Sequence, residues 1–125
     1  FDVGCVQKNG LEMDVPATLA AWREIATKNA DTYDKEVEWL KRTGARLVVS
    51  DVPAFPIEVA TRAGIPSVIV ANFTWADIYR AFIAEEPAFV EIANRLEAEY
   101  ANATLHLDAG FSVPMPYFSS TEHIG

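Results

Sequence analysis

The sequence predicts an α/β fold built on a parallel sheet. Two short apolar runs, 47–49 (Leu-Val-Val) and 67–71 (Ser-Val-Ile-Val-Ala), lack the polar alternation of a half-exposed strand, so each is expected to be buried on both faces. A third, less regular run spans residues 103–107. Segments with apolar residues at intervals of three and four separate these runs. Strands that alternate with helices are typical of a three-layer arrangement, with helices on both faces of a parallel sheet.

The first predicted helix is long. Asp14 is a candidate N-cap, Pro16 falls in the first turn, where a missing N–H costs nothing, and Gly44 closes the apolar stripe. These limits predict one helix of about 27 residues, roughly 40 Å long. Three shorter helices are expected to begin at Pro56, near Thr74 and at Pro87.

The chain of 125 residues has the length of one ordinary domain. We expect a loop or short extended piece over 1–13, an α/β core over 14–107 and an irregular tail over 108–125. Doubly wound sheets often begin with their central, most apolar strand, whereas here the first strong element is a helix. The pattern therefore predicts a partial Rossmann-like domain that lacks its N-terminal strand or strands.

Charge and composition exclude several classes of function. The net charge is −8, and residues 84–125 carry a single basic residue, Arg95, against seven acidic ones. A chain that repels phosphates is a poor candidate for binding nucleic acid or an anionic membrane surface. No apolar run approaches the length of a membrane span. The single cysteine, Cys5, cannot form an internal disulfide, which favours a reducing compartment, so we expect a cytoplasmic protein.

The candidate ligand site follows the two confident strands. Ligands of open parallel sheets bind beyond the carboxyl ends of the strands, where this sequence places short polar and aromatic side chains. The candidate residues are Ser50, Asp51, Asn72, Phe73, Thr74 and Trp75. Polar groups of this kind can hydrogen-bond a hydroxyl-rich ligand, while aromatic rings stack on its apolar face. In the alternative interpretation, Asn72 or Thr74 caps the next helix and Trp75 belongs to the core.

No catalytic residue can be named from the sequence. His106 and His123 are far apart and lack a cysteine or carboxylate at metal-ligand spacing, so no metal site is expected. The sequence contains no glycine-rich phosphate-binding motif. Asp51 at a strand end leaves open a flavodoxin-like or receiver-type domain, which a bound flavin or phosphate uptake on Asp51 would reveal.

Three segments in order, 47–53 (LVVSDVP), 63–67 (AGIPS) and 70–75 (VANFTW), resemble the N-terminal domain of GT-B-fold glycosyltransferases, including the glycosyltransferase-like domain of plant arabinokinases. The resemblance covers roughly residues 1–110. It implies that the six candidate residues line the acceptor side of a cleft, and that a second domain, outside this chain, binds the nucleotide-sugar. It implies no metal and no cofactor. The opening strand of such domains and its Gly-His loop are expected upstream of Phe1.

The expected function is therefore acceptor binding within a nucleotide-sugar-dependent glycosyltransferase, with the chain inactive alone. The alternative is a non-catalytic binding or interaction module on a truncated Rossmann-like scaffold. The donor, the acceptor, the stereochemical outcome and the catalytic base stay open. Because a missing central strand would expose the apolar edge beside 47–49, we also expect the chain to associate, most simply as a homodimer.

Overall fold

The computed structural model describes residues 1–124 and confirms a Rossmann-like α/β fold with an all-parallel sheet flanked by helices. The four strands lie in the order β1-β2-β3-β4, which is also their order along the chain. The helices are α1 (Val15–Ala30), α2 (Tyr33–Thr43), α3 (Phe55–Ala63), α4 (Trp75–Arg80) and α5 (Phe89–Tyr100). The strands are β1 (Val48–Asp51), β2 (Ser67–Ala71), β3 (Leu105–Asp108) and β4 (Thr121–His123).

The long N-terminal helix predicted from the sequence is wrong, because the chain breaks at Asp31 and Thr32 into α1 and α2. Its predicted ends are confirmed. The Asp14 carboxylate accepts the Ala17 N–H at 2.9 Å, and Gly44 ends α2 with a left-handed φ of 69°. The break lets the two helices pack separately, since α1 joins the larger hydrophobic cluster and α2 the smaller one.

The larger cluster lies between the sheet and α4 and α5. Its fully buried members include Ile69 of β2, Tyr79 of α4, and Phe89 and Tyr100 of α5. The smaller cluster packs Tyr33 and Leu40 of α2 against α3. Ile57 of α3 also belongs to the larger cluster, together with Tyr79 of α4 and Ile69 of β2, so the two helices that flank β2 in the chain lie on the same side of the sheet.

The other side of the sheet is far less buried. The paired strands align Val49, Val68, Val70, Leu105 and Leu107 on one surface, which we call the outer sheet face. All five lie outside both hydrophobic clusters, and Val49 is 63% exposed. The expectation that residues 47–49 are buried on both faces is thus wrong. The reason is that neither hydrophobic cluster packs against the outer sheet face, on which Val49 lies.

The C-terminal tail is more ordered than expected. Residues 121–123 form β4, which pairs in parallel with β3, so the tail over 108–125 is not wholly irregular. The signal in the sequence is weak because Thr-Glu-His has no apolar residue and all three are exposed. Residues 1–13 contain only an isolated bridge between Gln7 and Met13. Within residues 1–124, no helix combines the length and the apolar character needed to cross a membrane.

Candidate functional site

The candidate site lies along the edge of the sheet that is formed by the carboxyl ends of all four parallel strands. The pairing register places Asp51 beside Val70, Ala71 beside Asp108, and Asp108 beside His123. Asp51, Asn72, Asp108 and His123 therefore follow or close four neighbouring strands at one edge. This is the edge at which parallel α/β sheets bind their ligands.

At the end of β1, one candidate residue is exposed and the other forms a hydrogen bond within its own turn. Ser50 is buried, and its hydroxyl donates to the Pro53 carbonyl at 2.7 Å. Asp51 is exposed. Val52 then adopts a left-handed φ of 73°, which is strained for a β-branched residue. Its carbonyl accepts the Tyr100 hydroxyl at 2.7 Å, so the helix layer holds this strained turn in place.

At the end of β2, Asn72 and Phe73 are half-buried and reachable from solvent. The Asn72 carbonyl accepts the Val113 N–H at 3.0 Å, which ties this turn to the loop after β3. The Phe73 ring stands edge-on to Trp75, with ring centroids 5.7 Å apart. The structure thus leaves the Asn72 side chain and one aromatic ring available at this edge.

Thr74 is fully buried and serves the fold, as in the alternative interpretation of the sequence. Its N–H and hydroxyl both lie 2.9 Å from Asp77 Oδ2, at the start of α4. The Tyr117 hydroxyl is 2.6 Å from Thr74 Oγ1 and donates to the same carboxylate oxygen at 2.9 Å. Burial raises the pKa of Tyr117, so the phenol stays protonated and serves as a donor.

Trp75 faces the N-terminal segment. Its indole N–H donates to the Asp2 carboxylate at 2.7 Å, and its ring stacks on Tyr79 with centroids 6.1 Å apart. Beside it lies a cavity of about 40 Å³, whose lining includes Phe1 and Glu99. Such a cavity holds no more than a water or two, so Trp75 does not border a ligand-sized pocket at this position.

The structure adds polar residues at this edge that the sequence analysis did not select. Asp108 is 6% exposed and accepts two hydrogen bonds, from the Ser112 hydroxyl at 2.6 Å and the Gly110 N–H at 2.9 Å, and His123 Nδ1 lies 3.1 Å from its carboxylate. These donors, with Ser112 first, hold the pKa of Asp108 below its usual range. A carboxylate in this setting is ionised at neutral pH.

A periodic signal for these residues does exist in the sequence. His106 and Asp108 alternate with Leu105 and Leu107 in β3, whereas in β4 the residue between Thr121 and His123 is Glu122, so only β3 has an alternating pattern. His106 is buried as a strand residue, stacked on Phe118 with centroids 4.2 Å apart. Two polar residues on one face of each strand could have been matched once β4 was recognised. Within residues 1–124, no group of three or more metal-ligating side chains comes together.

Comparison with known proteins finds one informative relative. The chain is 34% identical over 120 residues to L-arabinokinase from Arabidopsis thaliana. The alignment covers 94% of this chain but only 12% of that protein. The chain is a distant relative of one segment of it. No family model matches the chain, and no solved structure matches it.

Proposed function

We propose that the chain is part of the acceptor-binding domain of a nucleotide-sugar-dependent glycosyltransferase, and that it binds a sugar without turnover by itself. The observation that carries the proposal is the edge where four parallel strands end. Asp51 and Asn72 there are solvent-accessible polar groups, and the half-buried Phe73 follows Asn72 in the chain. Short polar side chains and an aromatic face are the groups that recognise hydroxyls and the apolar face of a sugar.

The relative supports a sugar as the ligand. Its name, L-arabinokinase, describes a kinase that acts on L-arabinose, so L-arabinose is the first probe. Phosphoryl transfer by the present chain has less support, since the sequence contains no glycine-rich phosphate loop. In this proposal the donor sugar reaches the site from another domain, and the present residues hold and orient the acceptor.

We expect Asn72→Ala to weaken L-arabinose binding about fivefold, the equivalent of one ordinary hydrogen bond. Isothermal titration at millimolar sugar measures the affinity. Asn102→Ala is the matched control, because Asn102 precedes β3 at the opposite edge of the sheet. Equal affinities of the two variants would contradict acceptor binding at this edge. Release of the nucleotide from any of a panel of nucleotide-sugars by the chain alone would contradict the absence of turnover.

A second proposal, association with another copy of the chain, is favoured by the outer sheet face. Its apolar residues are outside both clusters, and β1 presents an edge, so a second copy would bury surface that is costly to leave in water. We expect a homodimer in light scattering at micromolar concentration. Val49→Lys should yield a monomer, whereas Val90→Lys on α5 should not. A monomeric unmodified chain would contradict this proposal.

A further inference from the structure

The last two strands carry two polar pairs side by side. Asp108 and His123 are register partners, as are His106 and Thr121 two residues earlier. In the inner pair, His106 Nδ1 lies 3.2 Å from Thr121 Oγ1 and Nε2 lies 2.9 Å from the Ala71 carbonyl, so both ring nitrogens are occupied. In the outer pair, Nδ1 of His123 lies 3.1 Å from Asp108, and Nε2 has no hydrogen-bond partner within residues 1–124. The outer pair is therefore the one that leaves a ring nitrogen unpartnered among these residues.

The surroundings of Asp108 determine which nitrogen is free. The ionised carboxylate can only accept, so it favours the imidazole tautomer that carries a proton on Nδ1, the ring nitrogen 3.1 Å away. Nε2 then has an unshared electron pair and no partner among the described residues. The His123 side chain is 78% exposed, whereas that of Asp108 is 7% exposed. A buried carboxylate therefore orients an exposed imidazole, whose acceptor nitrogen faces away from it.

The imidazole lines an open groove of about 390 Å³. Ligand sites are commonly of roughly this size, from about 300 Å³ upward. The groove is lined by the apolar run Pro114, Met115 and Pro116 and by polar residues that include Ser112 and His123. Apolar and polar lining groups together suit a ring that has hydroxyls at its edge and C–H groups on its face.

We propose that the Asp108–His123 pair is a binding subsite for a hydroxyl group of a sugar or similar polyol. A ligand hydroxyl donates its hydrogen bond to His123 Nε2, Asp108 holds the imidazole in position, and the ligand ring lies along 114–116. This inference rests on the proposed function, because it assigns part of the acceptor to these residues. It adds a subsite that belongs to the C-terminal strands, apart from Asp51 and Asn72.

The test uses the complete chain. Carbon-bound proton signals of His123 are followed by NMR at pH 8 while L-arabinose is added. We expect the His123 signals to shift with saturation, and by more than those of His106, which also lines the groove but has both ring nitrogens occupied. The affinity of His123→Ala should fall about fivefold to tenfold, since the ligand hydroxyl loses its acceptor. Glu122→Ala, an exposed neighbour on the opposite face of β4, should bind within about twofold of the unmodified chain.

The outcomes separate the two proposals. If L-arabinose binds and shifts the amides of Asn72 and Phe73, but His123 does not respond and His123→Ala binds equally well, the subsite is overturned and the proposed function stands. If the chain binds no sugar, both fail. A His123 response to zinc ions with none to sugar also overturns the subsite. Since His123 is at an exposed edge strand, circular dichroism of His123→Ala should match that of the parent, and the NMR arm needs no variant.

Discussion

Replacement of Phe89 by Ala is expected to lower the free energy of unfolding by about 3–5 kcal/mol. Phe89 is fully buried at the start of α5, with its ring centroid 5.1 Å from that of Tyr79 and 5.6 Å from that of Phe82. Removing the ring takes apolar surface out of the core and leaves a cavity that its rigid aromatic neighbours fill poorly. Because a domain of this size is stable by only about 5–15 kcal/mol, the variant should be close to unfolding.

Chemical denaturation followed by circular dichroism measures this loss. Phe89→Leu retains most of the apolar volume and should cost no more than about 1.5 kcal/mol. Val90→Ala is the adjacent control: Val90 is 38% exposed, so its truncation should change stability by less than about 0.5 kcal/mol. Similar losses for Phe89→Ala and Val90→Ala would contradict the packing of α4 on α5.

Asp77→Ala is the second change with a large expected effect, and it should lower the free energy of unfolding by about 2–4 kcal/mol. One oxygen of this carboxylate accepts from the Thr74 N–H and from the Thr74 and Tyr117 hydroxyl groups. Hydrogen bonds to an ionised group are stronger than neutral ones, and the variant would leave the buried Thr74 hydroxyl with fewer partners. The network joins the start of α4 to the loop that borders the groove.

Asp77→Asn removes the charge but keeps the shape of the side chain. It should lower the free energy of unfolding by only about 1 kcal/mol, because the amide oxygen can still accept hydrogen bonds from Thr74 and Tyr117. Urea denaturation gives the free energies. Glu91→Ala, an acidic residue exposed on α5, is the control and should be close to neutral. In Asp77→Ala, the amides of residues 112–117 should also exchange faster with solvent. A loss below 0.5 kcal/mol would mean that the network does not stabilise this edge of the sheet.

The elements that the sequence predicted well have both local and periodic signals. Strand β2 spans the predicted residues 67–71, and α3 ends at Gly64, whose left-handed φ of 71° favours glycine. The break at Asp31 was not predicted, because the apolar stripe continues through it at helical spacing. The two halves of the stripe pack into different hydrophobic clusters, and this tertiary packing is what separates α1 from α2.

The site was only partly predictable for a related reason. That Asp51 and Asn72 follow neighbouring strand ends could be inferred from the chain alone, since parallel strands end at one edge. The use of Ser50 and Thr74 inside their own turns depends on the conformation of those turns, including the left-handed Val52. The Asp108–His123 pair depends on the register of β4, a strand of three polar residues with no apolar pattern.

Acceptor binding by this domain is tested most directly by a map of backbone amide shifts in the complete chain as L-arabinose is added. We expect the largest shifts to cluster at the carboxyl ends of the strands, in residues 51–52, 72–73, 110–113 and 121–123. The opposite edge, which includes Gly44 and Gly64, serves as an internal reference and should stay unchanged. Shifts concentrated at that opposite edge, or no saturable shifts at millimolar sugar, would contradict acceptor binding by this domain.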